Sequence, residues 1–468
     1  MRIHPALLRS SLLGLLLALP GSGLASFAQS SNPVIPSVVE VDDSAAFPAF
    51  LDYLASSPAP LSALDFEARI PVELVDGKGR GVPFATWKLR AGNGIAVGGR
   101  AASDGRFSIF AKGAGIPSGK PMRLEVSARG SARVVDVPAN PALPLLVTLD
   151  SPRFPASPLP LDIVFVLDST VSMAKAFPGI KQTIAMTRFS ALSLGQDLKP
   201  RFALVLFKDR GESFLTQVTR LGDDEGAFTK ALAAAQAKSG GDAREAVGAG
   251  LAAAIEDTGF AEEGLRLVFL FTDAAPKAAE VGPPRSSGFP EAVKAAAALG
   301  AKVFTIGLEG IPGEGERALR EAAAFTGGHY LSVPLPSRAA TSRPSSYVRG
   351  NLAEFIVRII VGEAKAATGS GMAQASDPAL IILDEVSRRM ASSLAYPEAA
   401  RLRALAGTVR VELEVGKDGG LLSSSVGESS GSAILDKAAL ALAEAAFPLP
   451  NPSGVTAQLS MAVVYSLR

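Results

Sequence analysis

Residues 161–173 read Leu-Asp-Ile-Val-Phe-Val-Leu-Asp-Ser-Thr-Val-Ser-Met. An apolar run, Ile163 to Leu167, stops abruptly at Asp168, and Thr170 and Ser172 follow at alternate positions. A run this short, rich in Val and Ile and without polar alternation, predicts a strand buried on both faces, as in a parallel sheet. The loops at the C-terminal ends of such strands are where open α/β sheets take ligands. Asp, Thr and Ser at that point read in two ways. Their oxygens cap free N–H groups where a helix begins. Gathered together, they are hard ligands that suit Mg²⁺ or Ca²⁺ rather than a soft metal.

The sequence downstream repeats the pattern. Strand runs are expected at Phe202 to Phe207, Leu265 to Phe271 and Val303 to Leu308. Helical patterns lie near 174–194, 225–237, 243–256, 289–299 and 314–325, and a last one near 346–366 carries Phe355, Ile356, Ile359 and Ile360. Alternation of this kind predicts βαβ units and a doubly wound parallel sheet. Two further oxygen-rich loops fall at its strand ends. Gly240-Gly241-Asp242 opens a helix, and Phe271-Thr272-Asp273 closes a buried strand.

These residues resemble the von Willebrand factor type A domain and its metal-ion-dependent adhesion site, over about residues 161–363. The family's Asp-x-Ser/Thr-x-Ser motif falls on Asp168, Thr170 and Ser172, and its third-loop aspartate falls on Asp273. The second loop of the family usually offers a Thr. A bacterial variant has Gly-Gly-Asp followed by Glu, which places Asp242 there, and Phe207-Lys208-Asp209 resembles that variant's second strand. The resemblance implies a Mg²⁺ site, or one for another divalent cation, made of Asp168, Thr170, Ser172, Asp242 and Asp273. It also implies a protein ligand whose acidic side chain completes the metal shell.

Composition narrows the chemistry. The chain has no cysteine, which excludes disulfides, thiol catalysis and cysteine zinc sites. Its two histidines are His4 and His329, so a Ser-His-Asp site is hard to build. No enzyme is expected. A net charge of +1 gives no support to nucleic-acid binding. With 468 residues, 48% of them hydrophobic, there is room for about three domains with sizeable cores.

The N-terminus reads as an export signal over residues 1–28: Arg2 and Arg9, an apolar stretch at Leu12 to Leu19, and Ser26-Phe27-Ala28 as a cleavage site. Cleavage there implies a periplasmic or otherwise exported protein. An uncleaved residue 6–28 segment would instead anchor the chain in the inner membrane. Residues 29–64 are rich in Ser, Pro and Ala and read as a linker with a short helix at Phe47 to Leu54. Residues 65–150 hold short strand runs with turns such as Asp76-Gly77 and Asp104-Gly105, which predict a β-sandwich. An Asp-Gly turn before a short strand resembles the carboxypeptidase-regulatory type. Residues 151–160 carry Pro152, Pro155, Pro158 and Pro160 and form a boundary.

Residues 364–376 are small and polar and read as a second linker. Beyond them, Leu380 to Met390 and Pro397 to Leu405 read as helices. Thr408 to Val415 alternates strictly, Asp418-Gly419 marks a hairpin turn, Ala433 to Ala446 is an amphipathic helix, and Leu459 to Leu467 alternates again. Over about residues 377–468 this small α+β region resembles the TonB C-terminal domain. The landmarks are Tyr396-Pro397, Gly407-Thr408-Val409, Asp418-Gly419, Ser429-Ser430-Gly431, Leu435-Asp436 and Phe447-Pro448. The resemblance implies recognition of an outer-membrane receptor peptide by adding a strand to a sheet edge. The terminal strand, 457–467, is the expected edge.

Two motifs carry little weight. Gly313-x-Gly315-x-x-Ala318 follows a strand as a dinucleotide fingerprint would, but it sits late in its domain. Ala114 to Lys120 fails the phosphate-loop pattern at both ends. His329 is expected to be a surface or packing residue. The whole reads as an exported binding protein that links cell-envelope proteins. The alternative is a TonB-family energy transducer serving outer-membrane transport from an uncleaved anchor.

Overall fold

A computed structural model describes residues 37–466 except 58–63, 92–93, 117–120, 139–143, 152–157, 193, 195–196, 223–224, 241–243, 278–287, 334–344, 369–381, 383–385, 387–388, 391–396, 406, 450 and 452–455. The expected export signal, the helix at Leu380 to Met390 for the most part, and Asp242 lie outside the described residues.

The first strand, β1 (Ser37–Val41), is followed by α1 (Phe47–Ser56). Seven strands come next: β2 (Arg69–Val75), β3 (Thr86–Ala91), β4 (Ile95–Arg100), β5 (Arg106–Phe110), β6 (Met122–Ala128), β7 (Ser131–Val137) and β8 (Leu145–Thr148). They form a three-stranded sheet, β5-β2-β8, and a four-stranded sheet, β4-β3-β6-β7. Both contribute to one core, with Ile70, Val72 and Leu74 from the first and Leu89, Leu124 and Val126 from the second.

The central region runs β9 (Leu159–Asp168), α2 (Phe177–Leu192), β10 (Leu198–Phe207), β11 (Thr216–Thr219), α3 (Glu225–Ala234), β12 (Arg244–Glu245) and α4 (Val247–Asp257). It continues with β13 (Leu265–Thr272), β14 (Ala275–Pro276), α5 (Phe289–Leu299), β15 (Lys302–Gly307), α6 (Gly313–Thr326) and β16 (Tyr330–Ser332). Strands β10, β9, β13, β15 and β16 are neighbours in that order and all parallel. The unbroken apolar runs have a direct cause. Ile163, Phe165 and Leu167 of β9 face the core shared with α2, while Val164 and Val166 face the opposite core shared with α4 and α5. Every position from Leu161 to Asp168 is therefore inside, and cutting Phe165 back to Ala would cost about 3–5 kcal/mol. Two helices stop where the chain turns left-handed: Gly300 (φ 70°) ends α5 and Gly327 (φ 74°) ends α6.

Strand β17 (Ser345–Asn351) leads directly into α7 (Leu352–Thr368). The C-terminal region adds α8 (Glu398–Arg401), β18 (Gly407–Val415), β19 (Leu421–Glu428), α9 (Ala433–Glu444) and β20 (Ala457–Ser466). Its core joins Leu435, Ala439 and Ala443 of α9 to Val409, Val411, Leu413 and Val415 of β18. The Asp418-Gly419 turn forms as expected, with Gly419 at φ 81° and the Gly416 amide donating to the Gly420 carbonyl at 2.7 Å.

Several boundaries differ from the sequence reading. Residues 29–64 are not simply a linker, because β1 lies against the edge of the parallel sheet, pairing with β16 and β17. The helix expected from 346 begins at Leu352, since the preceding residues are β17. Leu159 already belongs to β9, and α7 continues to Thr368. The helix expected over 397–405 is the single turn α8. The terminal strand is not an edge: β20 lies between β17 and β18. The order β16-β1-β17-β20-β18-β19 thus carries one sheet from the central region into the C-terminal one.

The N-terminal strands pack on the central region. Phe110 stacks on Phe325 of α6 at 4.4 Å between centroids. Lys302, buried, reaches Asp104 at 2.9 Å and Glu363 of α7 at 2.8 Å, which ties three elements to one charge.

Candidate functional site

Parallel register brings the ends of β9 and β13 together: Leu167 pairs with Phe271, so Asp168 and Thr272 come out side by side. Thr272 donates its hydroxyl to Asp168 Oδ2 at 2.8 Å. Thr170 donates its amide at 3.0 Å and its hydroxyl at 2.6 Å to Asp168 Oδ1. The hydroxyls of Thr170 and Ser172 lie 3.1 Å apart, and Ser172 donates to Asp273 Oδ1 at 3.0 Å. Five side chains from two strand ends therefore form one run of oxygens: Thr272, Asp168, Thr170, Ser172 and Asp273. Asp168, Thr170 and Thr272 are buried.

The simple capping role is not what the first loop does. Thr170 stands before the short 3₁₀ turn at Val171–Lys175 but makes no side-chain cap bond to it. Its hydroxyl is turned back to Asp168 instead.

A second loop presses on the first. Val171 donates its amide to the Ser239 carbonyl at 2.6 Å, and Lys238 donates its amide to the Ser169 carbonyl at 3.0 Å. Gly240 (φ 90°) lies so close that a Cβ there would sit 2.8 Å from Thr170 Cβ. That glycine brings the Lys238–Gly240 stretch directly against Thr170. The predicted residues Asp168, Thr170, Ser172 and Asp273 are thus brought together, and Asp242 lies outside the described residues.

Burial works against negative charge on both carboxylates of the run. Burial raises the Asp168 carboxyl to about 6, helped by the charge of Asp273 and opposed by its bonds from Thr170 and Thr272. Burial raises Asp273 as well. Among the described residues, no group of three or more His, Cys, Asp or Glu side chains is placed to hold a metal. A cation at this point depends on the hydroxyls of Thr170 and Ser172 as well as on the carboxylates. An all-oxygen set of hydroxyls and carboxylates suits a hard divalent ion.

The comparisons with known proteins follow the same division of the chain. Residues 162–282 match the family model of the von Willebrand factor A domain, and residues 392–467 match that of the Gram-negative bacterial TonB protein C-terminal domain. The chain joins a von Willebrand factor A domain to a TonB C-terminal domain. No curated protein is a significant match. Among solved structures, the TonB C-terminal domain of Helicobacter pylori is 30% identical, covering 19% of this chain and 83% of that one, with a TM-score of 0.18. The conserved hypothetical protein BatB from Bacteroides thetaiotaomicron is 19% identical, covering 44% of this chain and 99% of that one, with a TM-score of 0.30. The pilus adhesin SpaC from Lactobacillus rhamnosus GG is 10% identical, covering 84% of this chain and 41% of that one, with a TM-score of 0.33.

In the von Willebrand A domain, sequence reasoning missed Thr272, although the residue before Asp273 at a strand end in register with Asp168 was the available signal. It also missed an acidic layer beneath the loops. Glu245 is buried, and its Oε2 has no hydrogen-bond partner among the described residues. Burial first, then the charges of Asp168 and Asp209, raise its carboxyl to about 8. Lys277 is the nearby counter-charge, 2.8 Å from Asp209 Oδ1, and its amide donates to the Glu245 carbonyl at 3.1 Å. A cavity of about 830 Å³ lies apart from this site, between the N-terminal strands and α5, lined by residues that include Trp87, Arg106, Phe107 and Lys294.

Proposed function

We propose that this is an exported, non-catalytic binding protein of the cell envelope. Its von Willebrand A domain holds Mg²⁺ and takes an acidic side chain of a protein ligand, and its TonB-like sheet takes an extended peptide such as a segment of an outer-membrane receptor. Both domain types fit a protein-interaction role, and the TonB C-terminal domain suggests a cell-envelope protein. The observation that carries the metal reading is the run of oxygens from Thr272 through Asp168, Thr170 and Ser172 to Asp273. When bound, the cation would supply a Lewis-acidic point that an incoming carboxylate can reach. The chain's own part is to hold that point. Asp168 is fixed by three donors, and the Gly240 loop buttresses Thr170.

A binding role rather than a catalytic one is supported by the surroundings. No cysteine exists in the chain, and His329 is engaged elsewhere, bonded to Glu40 at 2.6 Å. No helix among the described residues is long and apolar enough to cross a membrane.

The test is capture of an envelope protein by the immobilised full chain, in Mg²⁺ and in chelator. Capture that disappears with chelator and with Asp168→Ala supports the reading. Capture indifferent to both refutes it.

A further inference from the structure

The C-terminal sheet has two flanks, and they differ. On the β19 side the pairing with β18 shifts register twice, between Arg410 and Val411 and between Glu414 and Val415. Irregularities of this kind twist and blunt an edge against adding another strand. On the β20 side the pairing with β18 runs without a shift from Gly407↔Tyr465 to Val415↔Ala457. A regular strand is the better template for β-augmentation. That template is already in use. Ser345–Asn351 pairs antiparallel with it in unbroken register, from Ser345↔Ser466 to Arg349↔Ala462.

This segment comes from outside the region matched as the TonB C-terminal domain, which begins at residue 392. It leads straight into α7, whose Leu352, Ile356 and Ile360 belong to the core of the von Willebrand A domain. Its last two residues pair with β1, Asn351↔Ser37 and Gly350↔Val38. The segment is therefore held at its C-terminal end by the neighbouring domain, while its first five residues meet β20.

We infer that Ser345–Asn351 is an internal strand that fills the peptide-accepting edge of the TonB-like domain, so that an extended peptide must displace it to bind. This rests on the reading of that domain as a strand acceptor. An acceptor edge that is occupied in most molecules binds an outside peptide more weakly by the fraction of time it is open. Tethering makes the internal strand a strong competitor, because its local concentration is fixed by the chain rather than by solution. The arrangement also closes a sheet edge that would otherwise invite pairing between chains. Because α7 is held by its own core, peeling of residues 345–349 leaves the von Willebrand A domain folded.

The absence of cysteine allows a clean test in the full chain. Two variants each carry one cysteine pair at facing positions, Tyr347→Cys with Val464→Cys, or Val348→Cys with Val463→Cys. Facing pairs alternate between the wider and the closer spacing, so one of the two suits a disulfide. A third variant, Tyr347→Pro with Val348→Pro, strips strand amides from the segment. The probe is a fluorescent synthetic peptide with the sequence of Ser345–Asn351. Expected results are a disulfide within the chain in at least one cysteine variant, detected by mass, and loss of peptide binding when it is oxidised. The proline variant should bind the peptide about tenfold more tightly than the unaltered chain.

Failure of both cysteine pairs to close, with free binding of peptide to the unaltered chain, overturns the inference and leaves the acceptor reading standing. Closure of the disulfide with no peptide binding by the proline variant overturns the acceptor reading, and the inference with it. Equal binding by the oxidised and reduced chain also overturns the inference, because it places the peptide elsewhere.

Discussion

Replacing Gly240 by Ala tests whether the second loop truly buttresses the first. Two costs follow from the geometry. The backbone at φ 90° is one that an L side chain resists, and replacing glycine there costs about 1–2 kcal/mol. The new Cβ would also sit 2.8 Å from Thr170 Cβ and 2.9 Å from Thr170 Cγ2. Thr170 has no easy retreat, because its hydroxyl and amide are both bonded to Asp168. An overpacked contact of this kind adds about 1–3 kcal/mol. Gly211→Ala is the matched control. Its φ is 92°, but among the described residues nothing lies within 4 Å of the position its Cβ would take. Urea unfolding of the two variants should therefore separate strain from collision, with Gly240→Ala the less stable by about 1–3 kcal/mol. Calorimetry should also show weaker Mg²⁺ binding in Gly240→Ala and unchanged binding in Gly211→Ala. Equal destabilisation of the two, with equal Mg²⁺ affinity, would refute the contact between the loops.

Two further outcomes follow from buried charges. Lys302→Met leaves Asp104 and Glu363 without their shared cation, and loss of one partner of a buried pair costs about 3–5 kcal/mol, read in thermal unfolding; a change near zero would mean the triad is solvated. At the β1 contact, burial lowers His329 and raises Glu40, but their mutual hydrogen bond and attraction, together with the charge of Arg358 on Glu40 and of Asp42 on His329, outweigh it. The His329 imidazole ends above its ordinary value of 6.5, and the Glu40 carboxyl, also facing Arg358, ends at about 2. The raised His329 contributes stability that is complete below 6.5 and lost as pH rises through its folded value. The depressed Glu40 contributes stability that is complete above its ordinary 4.5 and lost as pH falls toward about 2. The pair should stabilise the β1 contact most between those ordinary values. An NMR titration in which His329 shows no upward shift relative to a His329-containing peptide would contradict this.

Much of the central domain was legible because β9 from Leu161, β13 and β15 are buried on both faces, and in β9 and β13 the apolar run ends at the polar site residues. Asp168 and Asp273 stood out for that reason. Thr272 did not, because a Thr at a strand end has many local uses, and only the register of β9 with β13 aims it at Asp168. Strands β1 and β17 were misread for a different reason. Ser37–Val41 and Ser345–Asn351 are short, and their strand conformation is set by partners far away in sequence: β16 for the one and β20 for the other. The Ser-, Pro- and Ala-rich stretch around the first hid its short Val-rich run, and the second passed as the start of α7. The same blindness made β20 look like an edge. Its alternation is plain in the sequence, but what covers it comes from another domain.

The most direct test of the account is Mg²⁺ titration of the full chain by calorimetry, beside Asp168→Ala. Asp168 is the residue that Thr170 and Thr272 both address, so its loss removes the centre of the oxygen run. The account predicts that the unaltered chain binds Mg²⁺ and that Asp168→Ala gives no binding heat while keeping its circular dichroism spectrum. A titration curve unchanged by the substitution would contradict it.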